Sequence, residues 1–221
     1  MGGVLVDAIS VGSYTKGSAG TPKATSHSIE VNGDNPNRLL LAAYTTSSGS
    51  AVTPAESAIQ ITTDVGAATL TQVATSQQQI PTNLGSVQWR YLLAPADGLH
   101  TVTANYNGAG WLNGVGMVLI SLYGVDQAAP FGTPVKSSGN NQVVANSVTA
   151  DVGDLILWAL AHSASLTGLT AADLISNLGA SDSGYGDYTT VRSAAGTGSA
   201  VALASGNNSV HACSGLAVLA A

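Results

Sequence analysis

Three strand-length stretches of this chain are apolar at nearly every position. They are Arg38-Leu39-Leu40-Leu41-Ala42-Ala43, Gly116-Met117-Val118-Leu119-Ile120 and Asp154-Leu155-Ile156-Leu157-Trp158-Ala159-Leu160. A β-strand turns successive side chains to opposite faces, so a strand with one wet face reads apolar and polar in turn. A strand with no polar face needs cover on both sides. The expected cover is a second sheet on one face, with loops or a neighbouring subunit on the other. Elsewhere the alternation is plain. Leu99, Thr101, Thr103 and Asn105 oppose His100, Val102, Ala104 and Tyr106, as in a sandwich strand with one solvated face.

Strand-like stretches rich in Val, Ile, Thr and Tyr recur along the whole chain, from Val4–Tyr14 to Ser209–Leu219. Turn signals divide them, among them Asn32-Gly33-Asp34-Asn35-Pro36-Asn37, Pro95-Ala96-Asp97-Gly98, Gly139-Asn140-Asn141 and Gly206-Asn207-Asn208. Asn, Asp and Gly tolerate positive φ, and Pro presets a turn corner. Only Thr170–Leu178 has a helical spacing, with Leu174 and Leu178 four apart behind Thr170 as an N-cap. The expected fold is therefore all-β, a jelly-roll-like antiparallel β-sandwich.

The second half echoes the first. Gly153-Asp154 before Leu155–Ala161 repeats the turn before Arg38–Tyr44 at an offset of 116 residues. Gly198–Ser205, Gly206-Asn207-Asn208 and Ala212–Ala220 repeat the strand, turn and apolar strand of Gly98–Leu122. A duplicated half that would leave an apolar sheet face exposed can bury it against its twin. The expected organisation is one domain over residues 1–221. Its interlocked halves cover about 1–124 and 134–221, with a crossover at 125–142 and no low-complexity linker.

Composition excludes several classes. Charged residues make up 8% of the chain and the formal net charge is -6. A nucleic-acid binder would concentrate Lys and Arg against phosphates, so nucleic acid is not an expected partner. The single cysteine, Cys213, rules out a disulfide framework and a multi-cysteine zinc site. The apolar run Leu155–Ala161 falls far short of the ~20 residues of a membrane helix, so no membrane partner is expected. Met1–Asp7 lacks a basic region and carries Asp7 within its apolar stretch, so no secretory signal is expected.

Catalytic signatures are missing. The chain has no Gly-x-Ser-x-Gly elbow, phosphate-binding Gly-Lys-Ser/Thr loop or His-Glu-x-x-His helix. His27, His100, His162 and His211 are widely spaced, and most Asp sit in turns where their side chains bond the local backbone. No catalytic residue, metal or cofactor is expected. Asn32–Asn37 and Asp182–Asp187 are oxygen-rich, but neither follows an EF-hand spacing and both read as turns. Trp89, Tyr91 and Trp111 are the candidate ligand or interface aromatics. Trp89 and Tyr91 share a strand face, which suits either sugar stacking or packing against another surface.

The stretch Leu122-Tyr123-Gly124-Val125-Asp126-Gln127-Ala128-Ala129-Pro130-Phe131-Gly132-Thr133 resembles a segment of β-sandwich proteins from tailed-phage virions and of related modules in bacterial surface proteins. In that pattern an apolar strand ends in a Gly-Val-Asp turn, and Pro-Phe-Gly-Thr begins a crossover to the second half. Asn37-Arg38-Leu39-Leu40, Trp89–Leu93, Gly98–Thr103 and Gly153-Asp154-Leu155-Ile156 are similar as flanking elements. The resemblance implies a non-enzymatic virion protein, foremost a capsid decoration (cement) protein that binds and stabilises the capsid lattice. It carries no catalytic residues. The expected partners are further copies of the chain, as in a closed trimer, and the major capsid protein or another virion protein. The expected location is the virion, assembled in a host cytoplasm. The alternative is a carbohydrate-binding or adhesin module, distinguished by an exposed line of Trp89, Tyr91 and Trp111.

Overall fold

A computed structural model describes residues 2–11, 15–16, 23–47, 59–81, 85–106, 114–139, 146–162, 173–179, 188–203 and 211–221. The described strands up to Tyr123 are β1 (Leu5–Val11), β2 (Thr15–Lys16), β3 (Lys23–Val31), β4 (Leu39–Ser47), β5 (Ile59–Thr63), β6 (Thr71–Gln72), β7 (Gln78–Gln79), β8 (Gly85–Leu93), β9 (Gly98–Tyr106) and β10 (Gly114–Tyr123). After it come β11 (Val135–Gly139), β12 (Asn146–Thr149), β13 (Leu155–His162), β14 (Asp173–Gly179), β15 (Tyr188–Ala195), β16 (Ala200–Leu203) and β17 (His211–Val218). Every ladder is antiparallel. The expected all-β antiparallel sandwich is what forms.

The strands make two inner and two outer sheets. The first inner sheet runs β1-β10-β4-β8-β6, and its outer partner runs β3-β9-β5. The second inner sheet runs β11-β17-β13-β15-β14, and its outer partner is β12-β16. Among the described strands no sheet mixes the two halves. The period of two then assigns each side of a two-faced strand to its own core. Leu40, Ala42 and Tyr44 of β4 pack with Ile61 and Val102 under the first outer sheet. Leu39, Leu41 and Ala43 point the other way, into a core with Leu157, Ala159 and Ala161 of β13. Ile156, Trp158 and Leu160 face Val148 under the second outer sheet. The second face of the three apolar runs is thus covered by the twin half, and neither loops nor a neighbouring subunit are needed there.

The halves meet as two copies in an isologous dimer do. β1-β10-β4-β8 and β11-β17-β13-β15 follow the same order. Across the middle core β10 lies on β15 while β8 lies on β17, and β1 lies on β14 while β7 lies on β11. Each contact therefore has its reciprocal about an axis near β4 and β13. Hydrogen bonds lock this seam. Trp89 Nε1 donates to the Ser214 carbonyl at 3.1 Å, and Ser214 Oγ donates to the Ser76 carbonyl at 2.6 Å. At the chain ends Val4 N donates to Gly153 O at 2.8 Å, and Ala221 N donates to Gly124 O at 3.0 Å.

The structure departs from these expectations at three places. The segment expected to be helical contains strand β14, paired with β15 across a register shift between Leu174 and Ser176. A spacing of four suits a strand as well as a helix, and the open edge of β15 supplies the hydrogen bonds that decide between them. Part of the expected crossover, Val135–Gly139, is strand β11, which takes the open edge of β17. Of the strand-like stretch Thr69–Ser76 only Thr71–Gln72 forms a strand, β6, and it is followed by a turn in which Thr75 takes the left-handed region at φ 60°.

Fragments 1–124 and 134–221, expressed apart, should each be insoluble or unfolded, since each bares its side of the middle core. Two fragments with independent cooperative unfolding would contradict this. Leu157→Ala in the middle core and Leu119→Ala in the first outer core should each lower stability by about 2–5 kcal/mol in urea unfolding. Gly215 lies opposite Trp158 in the β13–β17 ladder, and a Cβ there would fall 2.6 Å from Val148 Cγ2 and 2.9 Å from Trp158 Cδ1. Gly215→Val should therefore destabilise by at least roughly 1–3 kcal/mol through overpacking.

Candidate functional site

The aromatics singled out from sequence take different places. Trp89 is fully buried in the middle core, where its indole N–H is already committed to Ser214 O. It has no face to offer a ligand. Tyr91, two residues on along β8, is half-buried against the same core. Its ring meets Phe131 edge to face, with centroids 4.8 Å apart and planes at 76°. Trp111 lies outside the described residues. Of the two described members of the expected line, Tyr91 is partly open, and its neighbour is Phe131 from the crossover.

Those two rings lie in a groove of about 550 Å³ where the halves adjoin. One wall is Thr71–Thr75 and the other is Pro130–Pro134. The crossover wall is held in place by the final strand. Leu219 N donates to Pro130 O, Gly132 N donates to Ala217 O, and Phe131 bridges to Val218. The Gly-Val-Asp turn before it is also tied down. Gly124 takes φ +73°, a conformation that favours glycine, and Asp126 Oδ1 accepts from Ala128 N and Ala129 N. Gln127 Nε2 donates to Arg38 O and Val125 O. On the opposite wall, Val73 N donates to Trp89 O, and buried Ser76 exchanges hydrogen bonds with the Trp89 backbone. Among the described residues none that lines the groove is charged. It can receive an uncharged ligand with an apolar face and hydroxyl or amide groups.

The other described candidates bond within the fold. In the Asn32–Asn37 loop, Asn32 Oδ1 accepts from Asp34 N, and the Gly33 and Asn35 carbonyls accept from Arg38 Nη1. Asp182–Asp187 lies outside the described residues. His100 bridges Thr63 Oγ1 and Ala96 O, each at 2.9 Å, and His27 bonds Thr25 Oγ1. His162 and His211 are opposite each other in the β13–β17 ladder and both are buried. Among the described residues no three His, Cys, Asp or Glu side chains converge on a metal position. Among them, too, no helix is long and apolar enough to cross a membrane.

Titration shifts fall on or beside the first outer sheet, away from the groove. The Thr101 backbone N–H, 2.7 Å from Asp64 Oδ1, leads the interactions that hold this carboxyl below its ordinary value of 3.8. Burial lowers His27 and raises Tyr106.

Sequence reasoning missed Gln72, Thr75, Phe131 and Thr133 as groove residues. Phe131 alone gave a signal, as the only Phe in the chain and a member of the Pro-Phe-Gly-Thr segment. No family model matches the chain, and no curated protein matches it significantly in sequence.

Trp89→Phe removes the bond to Ser214 O and leaves a partial cavity, so it should cost roughly 2–4 kcal/mol. Tyr91→Phe keeps the ring and should stay within about 0.5 kcal/mol of the parent in the same urea titration. A depressed carboxyl contributes stability above its unfolded pKa and loses it as pH falls through the folded value. Asp64→Asn should accordingly lose less stability than the parent when pH drops below 3.8.

Proposed function

We propose that this chain is a non-enzymatic structural protein of a tailed-phage virion, foremost a capsid decoration protein that binds the capsid lattice and stabilises it. The open edge of the first inner sheet carries this reading. β1 is the edge strand, and Leu5, Val6, Ile9 and Val11 are 49%, 40%, 42% and 46% exposed along it. Exposed edges are commonly blunted by charge, proline or cover, because their free N–H and C=O groups template pairing with another chain. Here the one charged residue of the strand, Asp7, sits at a register shift. Its carboxylate accepts from Asn32 N, Asn35 Nδ2 and Ser121 Oγ. That carboxylate anchors β1 to its own body and does little to guard the edge. An apolar edge on a rigid four-layer β body suits docking by strand addition and burial on a protein surface.

The resemblance of Leu122–Thr133 to virion β-sandwich segments supports the same reading. The order β1-β10-β4-β8 against β3-β9-β5 supports the jelly-roll-like reading of the sandwich. Jelly rolls occur in capsid and in lectin domains, so the partner has to be argued from the surface and not from the fold. With the two-faced strands already covered inside one chain, the partner for the remaining apolar surface is the capsid lattice.

Particles prepared without the protein should bind it and then require a higher temperature for disruption, with genome content unchanged. The double variant Ile9→Lys, Val11→Lys should keep the parent's unfolding profile and lose both effects. Equal particle binding by parent and variant would remove β1 as the docking edge. No particle binding by the parent would overturn the decoration role.

A further inference from the structure

We propose that the groove between Thr71–Thr75 and Pro130–Pro134 is a binding site for a neutral oligosaccharide. It lies at the β6 side of the first inner sheet, the edge opposite β1, so it stays open when β1 is docked. This inference is independent of the decoration reading.

Five observations converge. The volume of about 550 Å³ lies in the range of sites for small organic ligands. The rings of Tyr91 and Phe131 are half-buried and braced edge to face, which offers a preorganised apolar patch for the C–H face of a sugar ring. The polar groups among the lining residues are the hydroxyls of Thr71, Thr75, Thr133 and Tyr91 and the amide of Gln72. Each both donates and accepts hydrogen bonds, which matches sugar hydroxyls that do the same. Among the described residues no lining residue is charged, so a phosphate, carboxylate or ammonium ligand finds no counter-charge from them.

The fifth observation is Thr75 itself, a β-branched residue held at φ 60°. Such a residue is a backbone outlier, and strain of this kind persists only where its surroundings enforce it. Here Ser76 enforces it, through Ser76 N to Val73 O and the Ser76 side chain to the Trp89 backbone. Glycine would hold that turn without strain. The threonine therefore supplies something the turn does not need, a side chain beside the groove.

A peptide fits less well. The Val73 and Gly132 N–H groups are already bonded within the protein, so the walls offer no free edge there for strand addition. Among the described residues no Trp or Arg donor lines the groove to meet the carbonyls of a proline-rich segment. A second cleft of about 300 Å³ is bordered by Gln77–Gln79 and Lys136, which continue the same two segments of chain.

The test uses the full chain, with saturation-transfer NMR and calorimetry against neutral hexasaccharides of glucose, galactose, mannose, rhamnose and N-acetylglucosamine, and against decaproline. At least one saccharide should bind and receive saturation from the protein. Gln72→Ala should weaken that binding about tenfold, the size expected when a ligand hydroxyl loses its partner. Thr75→Gly should weaken binding while leaving the melting temperature equal or higher, which separates a ligand role from a structural one. Tyr91→Phe should retain most of the affinity, and Tyr91→Ala should abolish it. The proposal is overturned if no hexasaccharide binds the parent at millimolar concentration. It is equally overturned if binding is indifferent to Gln72→Ala and Thr75→Gly, or if decaproline binds in place of every saccharide.

Discussion

Burial between the two inner sheets is the contact on which the rest of the structure depends. β4, β10, β13 and β17 each send one set of side chains outward to a private core and the other inward to this shared one. Removed from each other, both halves would present a broad apolar sheet face to water, at a cost set by its area. The shared core mixes large and small side chains. Trp89, Leu41 and Leu157 sit among Ala43, Ala159, Ala161 and Ala212. Interdigitating large with small residues lets two sheets pack closely without voids. The alanine-rich, charge-poor composition suits a chain in which inner strands have no wet face.

Reciprocal contact also explains where polar groups enter the core. Trp89 and Ser214 bring a donor and an acceptor that would be costly if unpaired, and they satisfy each other across the seam. Ser214 Oγ and Ser76 extend the same chain of bonds to the loop that forms one wall of the groove. The groove and the seam are thus one construction. The crossover must return along β17 to start the second half, and its path beside the β6 loop leaves the space lined by Tyr91 and Phe131. Residues from Gly124 to Gly132 hold this crossover in place through their bonds to the final strand and to the turn itself.

Much of the architecture was legible along the chain. Val, Ile and Thr runs between Asn-Gly, Pro-x-Asp-Gly and Gly-Asp turns mark the strands, because backbone geometry and the period of two act over a few residues. Leu39–Ala43 and Leu155–Ala161 announced strands buried on both sides, and the echo at 116 residues announced the twin that covers them. Asn37 and Gly153, both at positive φ, stand near the starts of β4 and β13 where turns were expected.

What the chain alone left open was decided by distant pairing. The Leu174–Leu178 spacing fits helix and strand alike, and only the free edge of β15 makes it β14. Val135–Gly139 has little strand signal of its own and takes its form from β17. Trp89 and Tyr91 share one strand face, yet one is sealed in the middle core and the other borders a groove, because the twin half covers the first and ends near the second. Local chemistry therefore determined which segments are strands and which faces must be buried. Tertiary structure decided what buries them and which side chains remain open, since burial depends on residues more than a hundred positions away, as Trp89 and Ser214 are.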